Sequence, residues 1–216
     1  HVFANVCVWV KPYLKVDVDQ RRNRAPYKAG FFDEIFSVLT EILNENELKT
    51  LLKASDAKNF TLLAKVVDPV VLPQFSSTEF DSFLKTFQKY LTKDEIKAIL
   101  FKRTQFGQSP LNFAVNGDCE IKFKRFWEFQ KAHLSLEEIK EISVRNHVYN
   151  EGVSALFFLM YCPQRRFIRQ IYEETFGLDE IKKLLVGQNK DGQNILMMGL
   201  KYNYCFQCSD IIEYSD

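Results

Sequence analysis

The chain has 216 residues, 46% of them hydrophobic and 26% charged, enough to bury a sizeable core or to stack several repeats, and a composition that argues against disorder. Lys plus Arg number 29 against 28 Asp plus Glu, so no global field draws the chain to nucleic acid or to an anionic membrane. Twenty Phe against eight Gly and six Pro exclude a turn-rich sandwich or barrel and point to an all-α protein with aromatic seams.

Residues 1–28 read as an N-terminal arm. Val6 to Val10 is β-branched and aromatic and Leu14 to Asp19 alternates, which predicts a short strand or extended segment. Arg21-Arg22-Asn23-Arg24 before Ala25-Pro26 is read as a solvated connector, with a nucleic-acid contact as the sharper alternative. No apolar run reaches the ~20 residues of a membrane helix, so no membrane insertion is expected. The start at His1 rather than Met fits an excised domain or a processed product.

From residue 29 to 205 one pattern returns four times. Its clearest form is Leu134-Ser135-Leu136-Glu137-Glu138-Ile139-Lys140, a complete helix start. Ser135 is placed to cap the helix, Glu138 to reach back to the cap's own N–H, and Leu134 to touch Ile139 as a hydrophobic staple. The same grammar appears at Leu43-Asn44…Glu47-Leu48-Lys49, Leu91-Thr92…Glu95-Ile96-Lys97 and Phe176-Gly177…Glu180-Ile181-Lys182, where Gly makes the last cap weak. The anchors Leu48, Ile96, Ile139 and Ile181 are spaced by 48, 43 and 42 residues. Such periods belong to helical repeat arrays rather than to an enzyme domain.

Each repeat has three parts. Before the anchor runs an amphipathic helix: Ile35, Phe83, Phe126 and Ile168 share one offset and Phe32, Phe80, Phe123 and Arg165 another, which puts an apolar stripe on one face. That stripe reads as core rather than a cofactor pocket. The capped helix follows; its Glu is the box partner and its Lys is read as solvated. A polar tip then leads to Asn59-Phe60-Thr61-Leu62, Gly107-Gln108-Ser109-Pro110-Leu111-Asn112-Phe113-Ala114, Gly152-Val153-Ser154-Ala155-Leu156 and Gly192-Gln193-Asn194-Ile195-Leu196. Gly or Asn supplies a positive φ, the hydroxyl or amide caps the next helix, and Pro110 suits its first turn.

The stretch Gly107 to Ala114 resembles the Gly-x-Thr-Pro-Leu-His-x-Ala signature of ankyrin repeats, with Asn112 where the family has His and a period above the family's ~33 residues. The surplus is filled by the capped Glu-(Ile/Leu)-Lys helix. The resemblance implies a solenoid of about four units of 40–48 residues with one additional short helix per unit. HEAT-like or tetratricopeptide-like arrays are the alternative, but neither brings the Gly-x-Ser-Pro-Leu turn.

Function follows from that shape. No nucleophile elbow, phosphate-cradling loop or cluster of His and carboxylates is present, so a non-catalytic scaffold for protein–protein interaction is expected, with no cofactor and no metal. The resemblance places partner contacts at the tips and on the helix after each: Arg103, Gln105, Phe106, Asn112, His147, Tyr149, Asn150 and Lys190. The alternative is a nucleic-acid-binding repeat protein using Arg21 to Arg24 and the Lys122-Phe123-Lys124-Arg125 face. Residues 206–216 close the chain as a cap or tail. At its edge Cys205 and Cys208 have the spacing of half a zinc site or of a redox motif, but no second pair at matching spacing exists. Five cysteines in apolar contexts suit a reducing compartment, so the expected location is intracellular, cytoplasmic or nuclear. Asn59-Phe60-Thr61 is formally a glycosylation sequon, read as a turn and cap instead.

Overall fold

The computed structural model describes residues 30–68, 76–115, 119–144 and 166–186, together with 188, 192–194 and 197. The described residues are mostly helical and form no strand, only an isolated antiparallel bridge between Ser55 and Thr61. The helices are α1 (Phe31–Ile42), α2 (Glu45–Lys53), α3 (Leu62–Val67), α4 (Ser77–Tyr90), α5 (Lys93–Phe101), α6 (Pro110–Val115), α7 (Glu120–His133), α8 (Leu136–Val144), α9 (Arg166–Phe176) and α10 (Leu178–Val186). None among the described residues is long and apolar enough to cross a membrane.

The predicted helix starts form from local chemistry. Asn44 Oδ1 accepts from the Glu47 N–H at 3.1 Å while Glu47 accepts from the Asn44 N–H at 2.9 Å. Thr92 with Glu95 and Ser135 with Glu138 make the same reciprocal pair. Leu43, Leu91 and Leu134 before the caps are buried, as are Leu48, Ile96 and Ile139, so the apolar side of each start is withdrawn from water where the staple requires it.

The fourth start differs. Gly177 stands at φ 78°, its N–H donating to the Glu173 carbonyl to close α9 and its carbonyl accepting from Ile181 to open α10. Gly there is a left-handed hinge between two helices rather than an N-cap missing its side chain.

Long helices pack on long helices: α1 on α4, α4 on α7, and α7 on α9. The short helices α3 and α6 pack together, while α2 lies on α4 and α5 on α7, so each of these two capped helices meets the long helix of the next sequence copy. The core is an aromatic seam at these contacts. Phe80, Phe83, Phe87, Phe123, Phe126, Trp127 and Tyr172 are all fully buried. Trp127 lies 4.8 Å from Tyr172, centre to centre, and its indole N–H donates to Thr175 Oγ1 at 3.2 Å.

Candidate interaction surface

Two tips are described, and they are built alike by different side chains. In the first, the Asp56 carboxylate accepts from the N–H groups of Lys58 and Phe60, both at 2.9 Å, and pairs with Lys65 at 2.7 Å. Burial pushes the Asp56 carboxyl upward, but Lys65 and these N–H donors outweigh it and hold its pKa below the ordinary value. In the second tip Thr104 takes the same place: its Oγ1 accepts from Phe106 and Gln108, at 3.2 and 3.3 Å. The backbone pattern repeats too. Asp56 N–H donates to the Phe60 carbonyl and Thr104 N–H to the Gln108 carbonyl, while Asn59 at φ 60° and Gly107 at φ 79° carry the turn.

The tips are also joined. The Gln105 N–H donates to the Lys58 carbonyl at 2.9 Å, and the Lys102 ammonium donates to Ser55 Oγ at 2.7 Å. Phe60 sits between Phe106 and Phe113, 6.5 and 5.3 Å away between ring centres. The result is a continuous rim that leaves Lys58, Asn59 and Gln105 exposed and Phe60, Phe106 and Arg103 half-buried.

Of the described residues expected to touch a partner, Gln105 is the most open. Arg103 donates to the Gly107 carbonyl at 2.6 Å and so also ties its own tip. Phe106 is half-buried, its ring 6.5 Å from that of Phe60 in the neighbouring tip. Asn112 is a correction: it is buried, and its Oδ1 accepts from the Ser109 N–H at 2.9 Å and from Ser109 Oγ at 2.8 Å. That bond inverts the expected cap. The hydroxyl of Ser109 donates into the helix start instead of accepting there, whereas Thr61 and Asn194 accept from the N–H of Ala64 and Met197 in the expected sense. His147, Tyr149, Asn150 and Lys190 lie outside the described residues, as do Arg21 to Arg24, Cys205 and Cys208.

The basic face at 122–125 is divided in the fold. Phe123 is buried, Lys124 pairs with Glu120 at 2.6 Å, and Arg125 reaches Asp81 at 3.4 Å. Lys122 is half-buried, and burial lowers its pKa. No set of three or more His, Cys, Asp or Glu residues able to hold a metal occurs among the described residues.

Sequence reasoning missed the partners of the repeated lysines. Lys97, next to its anchor Ile96, pairs with Glu138 in the following copy, and Lys140, next to Ile139, pairs with Glu180 at 3.3 Å. Lys53 likewise reaches Glu95 at 2.6 Å. Lys97 and the Ser135 N–H hold the Glu138 carboxyl below its ordinary pKa. One carboxylate thus closes its own helix cap and receives the preceding copy's lysine. The signal was the recurrence of Glu and Lys on either side of every anchor.

No protein-family model, curated protein or solved structure matches this chain.

Proposed function

We propose that this chain is a non-catalytic protein-interaction scaffold: a divergent ankyrin-like stack of about four units, each with an added capped helix, that binds a partner protein along its rim of tips. The observation that carries this reading is the backbone hydrogen bond from Gln105 to the Lys58 carbonyl, 47 residues apart, which sets two like-built tips in register. A rim of this kind offers fixed polar groups and aromatic edges at repeat spacing, which suits an extended protein surface.

The scaffold reading also rests on how fully the repeated polar residues are occupied. Glu47, Glu95 and Glu138 close helix caps, Asp56 and Thr104 hold tips, and Asn112 caps a helix from inside. We place the protein's work inside the cell, in the cytoplasm or nucleus, where its thiols stay reduced. The test is capture from the native source by the wild-type chain, by a Lys58→Glu/Gln105→Glu variant, and by Glu128→Lys as a control on the exposed side of α7. A protein held by the wild type and the control but lost by the tip variant supports the rim as the binding surface. Equal retention by all three refutes it, and nuclease-sensitive retention assigns the surface to nucleic acid.

A further inference from the structure

Among the described residues, the lysine-to-glutamate pairs that join one copy to another run one way: a lysine in one copy meets a glutamate in the next. Among the described residues such a row has two open ends. At the first, Glu47 accepts only from its own cap, Asn44, among the described residues. At the last, Lys182 follows the anchor Ile181 as Lys97 and Lys140 follow theirs, and it makes no ion pair with the described residues.

The apolar positions around these ends are correspondingly bare. Val38, ten residues before its anchor, is 51% exposed, whereas Phe129 and Ile171 at the same offset are 4% and 8% exposed. Ile42, six before the anchor, is 66% exposed; its counterparts Tyr90, His133 and Thr175 are half-buried, buried and half-buried, and Thr175 receives the Trp127 indole N–H of the copy before it. At the far end Val186 is 68% exposed, while Phe101 at its offset is half-buried and Lys53 reaches forward to Glu95. One end therefore offers apolar side chains and a carboxylate, the other an apolar side chain and an ammonium.

We propose that two copies of this chain associate head to tail, Lys182 of one meeting Glu47 of the other, with Val186 set against Val38 and Ile42. A second copy is the occupant that matches both ends at once, because each end carries one member of the Lys–Glu pair by which the inner copies already meet. The contact is heterologous, so it extends to short rows or closes into a ring. It rests on reading the internal contacts as a serial stack, but not on the tips binding anything.

Light scattering and sedimentation of the full chain at low salt, over a range of concentrations, test this. Mass should rise with concentration and fall again as salt screens the pair. Lys182→Glu and Glu47→Lys should each shift half-association to about tenfold higher concentration, since each sets like charges opposite one another. An equimolar mixture of the two should return to the wild-type midpoint, because both contacts then join opposite charges. Glu47→Gln, which keeps an acceptor for the Asn44 cap, should weaken association without changing the melting curve.

A chain that stays monomeric throughout overturns the proposal, as does a mixture that associates no better than its components. An interior Lys97→Glu separates the two readings: it perturbs the stack but should leave the association midpoint alone. If it moves that midpoint as far as Lys182→Glu does, the contact is not at the ends and the proposal falls.

Discussion

The aromatic seam through α4, α7 and α9 and the row formed by the capped helices α2, α5 and α8 with α10 recur with the same period, yet hold the molecule in different ways. The seam removes large rings from water, Trp127 and Tyr172 among them, and so supplies most of the free energy between copies. The row contributes ion pairs such as Lys53–Glu95 and Lys140–Glu180 whose members remain in contact with water. Pairs of that kind add little stability but impose direction and spacing. Under the proposed stack, energy and register are thus assigned to separate surfaces of each copy.

The comparison breaks most easily at the seam. Trp127→Ala removes the ring that meets Phe123, Tyr172 and Phe176 and orphans the Thr175 contact, and it should cost about 3–5 kcal/mol by chemical denaturation, as large-to-small core changes do. A loss comparable to that of an exposed substitution would remove the seam from its leading role.

Gln130 sharpens the same point from the other side. It lies in α7, fully buried, and neither amide atom has a hydrogen-bond partner among the described residues. Gln130→Leu should therefore stabilise the chain by about 1–3 kcal/mol, the usual cost of an unsatisfied buried polar group. Destabilisation would mean that the amide is satisfied in solution.

At the row of capped helices the effects are smaller. Gly177→Ser should destabilise by about 1–2 kcal/mol, because a side chain at positive φ is strained even with open space around it. A gain in melting temperature would restore Gly177 to the role of a defective N-cap.

Glu79 gives the pH dependence. It is buried in the capping box of α4, where it accepts from Ser76 Oγ at 2.7 Å, the Ser76 N–H at 3.0 Å and the Gly30 N–H at 2.9 Å. Burial pushes its carboxyl up, but these donors and the Phe32 N–H prevail and hold its pKa below the ordinary 4.5. Stability from Glu79 is complete above the unfolded value and is lost as pH falls through the lower folded value. Glu79→Gln should make unfolding midpoints less sensitive to pH below 4.5, and an unchanged acid limb would assign that loss to other carboxylates.

What the sequence made legible was local. A capping box spans three residues and needs no tertiary contact, so Asn44, Thr92 and Ser135 could be placed from the order of residues alone. The turn at Gly107 was legible for the same reason. The pairing of Lys97 with Glu138 was not, because it depends on how one copy lies against the next. Asn112 was assigned to the surface by analogy with a family position, while its burial comes from α6 lying between α3 and α7. Thr104 and Asp56 show a further reason: an unlike pair of side chains supplies the same acceptor geometry, and residue identity alone conceals it.

The central claim, a serial stack whose units contact only their neighbours, is tested most directly by hydrogen exchange resolved by segment in Ser135→Ala. Loss of the cap should cost about 0.5–2 kcal/mol. The account predicts that protection falls first in residues 125–144 and at the contacts of α8 beside them, while residues 30–60 keep theirs. Equal loss of protection in both segments would show one cooperative globule and contradict the stack.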